Sequence, residues 1–196
     1  MKKLEKIYQF HVTVFGGSLP KVGEPAFDEA FALGKMLGDA GYSVLTGGYI
    51  GTMEAISRGV AETGGHVIGV TCDEIEAWRP VKPNPWVQEE RRFTTLRERL
   101  YALIDGCDAV IALPGGVGTL AEIAIIWSQM QVFAVQPRPL ILVGQGWQVM
   151  MDAFYTSLGS YVPKSTKALV AFAPDVKIAF SQLQSSRLSK NLSKDN

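Results

Sequence analysis

A glycine-rich stretch in the middle of the chain has the composition of a loop that binds an anion. The run Pro114-Gly115-Gly116-Val117-Gly118-Thr119 follows an apolar segment and precedes one with helical periodicity. Glycines let the backbone turn sharply and let an anion approach its N–H groups. The start of the following helix adds free N–H donors and the positive end of its dipole. The stretch therefore predicts a phosphate site formed by Gly115, Gly116, Gly118 and the Thr119 hydroxyl.

Three interpretations of this loop remain open from the residues alone. It could be a tight strand–helix turn, in which Thr119 and Glu122 form a capping box. It could bind a dinucleotide, because residues 116–121 fit G-x-G-x-x-A; that motif expects an acidic residue about 20 positions later, and none occurs between Glu122 and Asp152. It could hold a mononucleotide or a sugar phosphate. A G-x-x-x-x-G-K-[ST] loop does not occur in the chain.

The elements that would position this loop alternate between strand and helix. Apolar, β-branched runs predict buried strands at residues 10–15, 42–45, 66–71, 109–113 and 139–143, with a weaker one at residues 168–172. Segments with helical periodicity separate them. The alternation predicts an α/β fold in which helices cover both faces of a doubly wound, mostly parallel sheet. We expect one domain over residues 1–184 and a polar C-terminal tail over residues 185–196.

Glycine clusters follow three of the predicted strands. Because the carboxyl ends of parallel strands lie at one edge of the sheet, where ligands bind, the clusters predict a common pocket. Turn geometry would explain these glycines equally well, and packing of a helix face against the core would explain Met53. The predicted pocket wall comprises Gly17, Ser18, Gly48, Gly51, Thr52 and Met53.

The segment 72–90 differs from its surroundings and is predicted to be irregular. It contains three prolines together with Trp78 and Trp86. It could form a lid over the pocket. A loop whose tryptophans pack on the body or in a dimer contact is the favoured interpretation.

Composition excludes several classes of function. Lys and Arg together number 19, as do Asp and Glu, so the formal net charge is zero and a broad nucleic-acid footprint is not expected. Cys72 and Cys107 form no CxxC pair, and His11 and His66 lie far apart in strand-like runs, so neither a disulfide framework nor a metal site is expected. No apolar run reaches the roughly 20 residues that span a membrane, and the N-terminal segment lacks a signal-peptide core. We expect a cytoplasmic protein.

With these segments identified, the sequence resembles the LOG ("lonely guy") family of cytokinin riboside 5′-monophosphate phosphoribohydrolases, formerly described as lysine decarboxylases. The family motif P-G-G-x-G-T-x-x-E is intact from Pro114 to Glu122. The family segment M-x-x-R-K corresponds to residues 96–100. The resemblance extends over about residues 10 to 145, and its further matches are residues 14–18, 47–53, 64–70 and 127–129.

The resemblance implies a three-layer Rossmann-like fold, a homodimer and no metal or organic cofactor. The implied reaction is hydrolysis of the N-glycosidic bond of a nucleoside 5′-monophosphate to a free base and ribose 5-phosphate. The resemblance assigns the chemistry to Arg99 and Glu122 and places Leu96 among the nucleotide-binding residues. A carboxylate near the ribose can stabilise an oxocarbenium-like transition state or orient water, and a guanidinium can bind phosphate or assist the departing base. Arg99 could instead form a salt bridge on a solvated face.

Some residues depart from the family pattern. Leu100 replaces the lysine after the arginine, Leu96 replaces the methionine, and Glu54 replaces the glycine after Met53. These departures leave the base specificity open. They also keep a rival function open, that of a non-catalytic protein of the same fold that binds a nucleotide or carries the molybdenum cofactor. A decarboxylase would need a lysine for pyridoxal phosphate, and none lies between Lys82 and Lys164.

Overall fold

The computed structural model describes residues 10–192, and within them a single parallel sheet forms the middle layer. Its strands lie in the order β4-β3-β2-β1-β5-β6-β7, and every neighbouring pair is parallel. The predicted α/β fold with a parallel sheet is confirmed. The strands are β1 (His11–Phe15), β2 (Ser43–Thr46), β3 (His66–Cys72), β4 (Glu89–Phe93), β5 (Ala109–Ala112), β6 (Leu140–Val143) and β7 (Ala171–Ala173).

Helices cover both faces of this sheet. Residues of α1, α2 and α8 pack in one core cluster, and residues of α4, α5 and α6 pack in the other. A 3-10 turn covers Gly159–Tyr161. The helices are α1 (Pro25–Asp39), α2 (Thr52–Glu62), α3 (Asp73–Trp78), α4 (Leu96–Asp105), α5 (Val117–Gln131), α6 (Gln145–Leu158), α7 (Lys164–Lys167) and α8 (Val176–Leu192).

The inner strands β1, β2, β5 and β6 are mostly apolar because both of their faces are buried. In β1, Val12 and Val14 belong to one core cluster and Phe15 to the other. Thr13 is fully buried between these valines, and its hydroxyl donates a 2.8 Å hydrogen bond to the carbonyl oxygen of Leu103. The polar group is therefore satisfied within the core.

Several predicted boundaries are wrong. The segment 72–90 contains α3 and the first residues of β4, which was not predicted because Glu-Glu-Arg-Arg-Phe is highly charged. This strand lies at the sheet edge, where charged side chains are tolerated. The weak strand predicted at 168–172 lies instead at Ala171–Ala173, after the end of α7. Residues 185–192 of the predicted tail belong to α8, whereas residues 193–196 of that tail and residues 1–9 of the predicted domain lie outside the described part of the chain.

The order in which the chain adds strands to the sheet reverses between β1 and β5. The chain progresses from β1 outward to β4, then returns to the other side of β1 with β5. The connections after β1 and β5 therefore diverge to opposite sides of the sheet and leave a crevice at their carboxyl ends. Ligands of open α/β sheets bind in such crevices.

Candidate functional site

The turns after β1 and β5 contact each other directly at this crevice. Phe15 and Ala112 are in register at the ends of their strands. The amide of Gly17 donates a 3.1 Å hydrogen bond to the carbonyl oxygen of Pro114. A Cβ atom on Gly17 would lie 3.5 Å from the Cα of Gly115, so the two glycine backbones are close neighbours.

The turn after β2 joins the same assembly. Thr52 donates to the carbonyl oxygen of Gly17 through its amide, at 2.9 Å, and through its hydroxyl, at 3.1 Å. Gly51 has a φ of +74° and lies against Ser18, where a Cβ atom would be 2.6 Å from the Ser18 Cα. Both the dihedral angle and the close approach require glycine. The structure thus brings the three predicted glycine turns together.

The start of α5 faces this assembly with its backbone N–H groups free of a side-chain cap. Its N-cap is Gly116, and no side chain there accepts a hydrogen bond. Thr119 and Glu122 lie at the third and sixth helical positions, so the capping-box interpretation of this pair is wrong. Residues 114–118 are exposed, whereas Thr119 is buried. Such a helix start is suited to an anion.

Glu122 and Arg99 form a buried pair beside the loop. The Nη1 atom of Arg99 lies 3.9 Å from Oε1 of Glu122, and the two side chains are only 6% and 12% exposed. Burial raises the pKa of the Glu122 carboxyl from 4.5 to about 7, although the nearby Arg99 guanidinium acts in the opposite direction. Glu122 therefore exchanges a proton near neutral pH. Carboxyl groups with such a pKa are frequent in active sites.

Backbone and side-chain contacts fix Arg99 in place. Its Nε donates a 2.8 Å hydrogen bond to the carbonyl oxygen of Val70, and its guanidinium lies 5.9 Å from the ring centroid of Tyr49. Gly47 gives the guanidinium room, since a Cβ atom there would overlap Nη2. Arg99 is therefore not on a solvated face, which was one of the sequence interpretations.

A capping box holds the helix that carries Arg99. The Thr95 hydroxyl accepts a hydrogen bond from the Glu98 amide at 3.2 Å, and the Glu98 carboxylate accepts one from the Thr95 amide at 3.0 Å. These bonds satisfy two donors at the start of α4. Arg99 follows in the first turn, where a cation opposes the helix dipole. Its proximity to Glu122 compensates for this position.

The other predicted wall residues differ in accessibility. Gly48, Gly51 and Thr52 are buried, and the Thr52 hydroxyl is used to hold the first turn. Gly17 and Ser18 are partly exposed beside the phosphate loop. Met53 is partly buried, and its sulfur atom would lie 2.5 Å from a Cβ atom on Gly47. Leu96 is 48% exposed at the start of α4.

The proline-rich segment supports the second glycine turn, a role that sequence reasoning missed. The Asn84 side-chain amide donates to the carbonyl oxygens of Gly48 and Tyr49 at 3.0 and 2.9 Å. The Tyr49 hydroxyl oxygen lies 3.2 Å from both the carbonyl oxygen of Cys72 and the Glu76 carboxylate, which compete for its one hydrogen. Asn84 lies outside the matched segments, and Tyr49 lies inside the segment 47–53, but neither residue's role is predictable because their partners lie more than twenty positions away in the chain.

Two features are absent from the part of the chain that the structure describes. Residues 10–192 hold no cluster of three His, Cys, Asp or Glu side chains that could bind a metal ion. Among these same residues no helix combines the length and apolarity needed to cross a bilayer.

Comparison with known proteins places the chain in a family. A family profile described as "Possible lysine decarboxylase" matches residues 53–183. "Probable cytokinin riboside 5'-monophosphate phosphoribohydrolase LOGL9" of Oryza sativa subsp. japonica is 33% identical over 84% of this chain and 73% of its own length. "Cytokinin riboside 5'-monophosphate phosphoribohydrolase LOG" of the same organism is 36% identical over 69% of this chain and 52% of its own length. The chain belongs to the LOG family.

Solved structures agree with this LOG-family fold. A molybdenum cofactor binding protein from Rippkaea orientalis superposes with a TM-score of 0.72 at 21% identity, over 91% of this chain and 98% of its own. A Moco carrier protein from Chlamydomonas rheinhardtii has a TM-score of 0.66 at 26% identity, over 91% and 97%. The chain spans little more than half the length of some curated relatives: 52% of LOG and 59% of "Probable cytokinin riboside 5'-monophosphate phosphoribohydrolase LOGL5", both of Oryza sativa subsp. japonica.

Proposed function

We propose that the protein hydrolyses the N-glycosidic bond of a nucleoside 5′-monophosphate, of the AMP or cytokinin riboside monophosphate type, to a free base and ribose 5-phosphate. The observation that carries the proposal is the buried Glu122–Arg99 pair beside the uncapped start of α5. The relatives named as phosphoribohydrolases support the same assignment.

The phosphate would bind at the start of α5, against the backbone N–H groups of Gly115, Gly116 and Gly118 and the hydroxyl of Thr119. An α-helix rises about 1.5 Å per residue, so Glu122 lies roughly 8 Å along the axis from Val117. The ribose, which connects the phosphate to the base, can bridge this separation. The glycosidic carbon would then lie near the Glu122 carboxylate.

In the proposed reaction a water oxygen bonds to C1′ while the bond between C1′ and the base nitrogen breaks. The electron pair leaves with the base, which takes up one proton from solvent, while one proton of the attacking water passes to Glu122 and then to solvent. The ionised Glu122 carboxylate stabilises the positive charge that develops on the ribose and accepts a proton from the attacking water. Arg99 holds that carboxylate in place and directs its remaining N–H groups toward the second glycine turn.

Ser18, Gly17, Leu96 and Met53 would line the nucleotide site, together with the buried turn formed by Gly48, Gly51 and Thr52. Gly48 and Thr52 would act through shape, because the Gly48 amide and the Thr52 amide and hydroxyl already donate hydrogen bonds within the protein. We also propose that the active form is a homodimer in the cytoplasm. Neither a metal nor an organic cofactor takes part in the proposed reaction.

The experiment that tests the function is incubation of the purified protein with AMP, a cytokinin riboside monophosphate and other nucleoside monophosphates. The measured products are free base and ribose 5-phosphate. Glu122→Gln should lower turnover by at least about 100-fold and leave ligand binding largely intact. Glu62→Gln, which removes a carboxylate on the outer face of α2 that pairs with Arg58, should retain full activity.

An equal rate in Glu122→Gln and the native protein would refute the mechanism. If no substrate releases base while phosphorylated ligands still bind, the function is binding or transport of a phosphorylated ligand. The Chlamydomonas carrier, at 26% identity, makes a phosphorylated pterin the first ligand to test in that case. The absorbance of the purified protein would reveal a bound pterin.

A further inference from the structure

The three glycine turns contain no charged side chain that could neutralise a phosphate. Residues 16–20, 47–53 and 114–120 are all uncharged, and the first charged residue after the second turn is the acidic Glu54. A phosphate monoester carries a charge between about −1.5 and −2 at neutral pH. Backbone N–H groups provide only partial positive charge. Lys21 directly follows the first turn and is exposed, so a second cation held beside the turns would come from another element.

Arg99 is committed to other partners and does not fill this role alone. Its Nε bonds to the carbonyl oxygen of Val70, and Nη1 faces the Glu122 carboxylate. Arg79 is the second cation beside the turns. Its Nη1 donates a 3.2 Å hydrogen bond to the Ser18 hydroxyl, and Ser18 is the residue against which Gly51 packs.

We propose that Arg79 is a further ligand of the substrate phosphate, supplied by the segment that follows α3. This inference rests on the proposed function for the identity of the ligand. Like Arg97 and Arg138, and unlike Arg58, Arg91, Arg92 and Arg99, Arg79 forms no ion pair with a carboxylate of residues 10–192; its guanidinium bonds to the first glycine turn instead. Its hydrogen bond to a neutral hydroxyl leaves the positive charge uncompensated, next to a loop suited to an anion.

The position of Arg79 is fixed from both sides. Its amide donates a 2.8 Å hydrogen bond to the carbonyl oxygen of Ile75, and its guanidinium stacks on the Trp78 indole with 4.7 Å between carbon and ring centroid. A carboxylate from α3, Glu74, accepts a 2.7 Å bond from the amide of Leu96. The start of α3 is thereby joined to the start of α4.

Further contacts attach α3 to the glycine turns. Arg92 binds both carboxylate oxygens of Glu76, at 2.8 and 2.9 Å, and the Tyr49 hydroxyl oxygen lies 3.2 Å from the same carboxylate. Planar, bidentate pairs of this kind define orientation as well as position. The guanidinium of Arg79 is therefore held toward Ser18 before any ligand arrives, which lowers the entropic cost of binding phosphate.

The test measures the affinities of the protein for AMP, ribose 5-phosphate, inorganic phosphate and adenosine, with and without Arg79→Gln. All proteins carry Glu122→Gln, so that the ligand is not consumed. Charge-assisted hydrogen bonds to phosphate are strong enough that AMP affinity should fall about tenfold to a hundredfold. Adenosine affinity should not change. Arg58→Gln removes the same charge from α2 and is the matched control, with all affinities unchanged.

Arg79→Lys tests how far AMP affinity depends on the positive charge at this position, whereas the comparison of AMP with adenosine separates a phosphate ligand from a residue that only supports Ser18. Lysine retains the charge and should recover part of the affinity for AMP. AMP bound at Arg79 should quench the fluorescence of Trp78, on which Arg79 stacks. Loss of this quenching in Trp78→Phe would show independently that AMP binds beside Arg79. Equal AMP affinities in Arg79→Gln and the control, with hydrolysis intact in the native protein, would overturn this inference and leave the proposed function standing.

Two other outcomes are also decisive. If native protein releases no base but binds AMP in a manner that depends on Arg79, the phosphate site stands and the proposed reaction fails. If none of the three phosphorylated probes binds at millimolar concentration, the inference about Arg79 is overturned.

Discussion

The pKa of Glu122 predicts how the stability of the protein changes with pH, independently of any substrate. The carboxyl has an ordinary pKa of 4.5 when the chain is unfolded and about 7 when it is folded. A raised carboxyl pKa means that the folded state holds its proton more tightly than the unfolded state. The free energy of unfolding therefore decreases as the pH rises from about 4.5 through about 7.

The magnitude follows from the two pKa values. One pH unit corresponds to about 1.4 kcal/mol, so the full difference between 4.5 and 7 costs about 3 kcal/mol once the pH is well above 7. Between pH 5 and pH 8 the change is about 2 to 3 kcal/mol. Glu122→Gln removes this titration and keeps the shape of the side chain.

The assay is urea unfolding of the native protein and Glu122→Gln at pH 5 and at pH 8. The free energy of unfolding of the variant, relative to that of the native protein, should be about 2 to 3 kcal/mol higher at pH 8 than at pH 5. The attraction between ionised Glu122 and Arg99 is already included in the folded-state pKa of about 7, so it requires no separate correction. Glu62→Gln, at an ion pair whose side chains are 37% and 40% exposed, should show no such gain. A variant whose relative stability is the same at both pH values would refute the assignment of a raised pKa to Glu122.

Three further substitutions test how the site is positioned. Gly47→Ala should displace the Arg99 guanidinium, whose Nη2 occupies the space of the new Cβ; the expected result is a loss of activity of at least about tenfold, and native-like activity would contradict it. Asn84→Ala removes two side-chain bonds to the second glycine turn and should lower the free energy of unfolding by about 1 to 3 kcal/mol in urea; an unchanged midpoint would show that the turn does not depend on them. Thr95→Ala should cost about 1 kcal/mol by removing the capping box with Glu98, measured in the same way, and would be contradicted by a stability equal to that of the native protein.

The local pattern of the chain determined the fold class. Continuous apolar runs predict strands buried on both faces, and their alternation with helical segments predicts a parallel sheet. That arrangement in turn predicts that turns after the strands share one edge, and the glycine turns at residues 16–18, 47–51 and 115–118 do meet there. The apolar pattern does not predict edge strand β4, because its charged side chains face solvent and it lacks the apolar run of a buried strand.

Only the tertiary structure decided which charged groups meet. Arg99 and Glu122 lie 23 positions apart, and their 3.9 Å separation depends on how α4 and α5 pack on the same face of the sheet. The pKa of Glu122 results from that burial and has no sequence signature. Similarly, Arg79 reaches Ser18 across 61 positions. Sequence specifies short-range periodicity and turn chemistry, whereas long-range side-chain contacts and desolvation arise only when the elements pack.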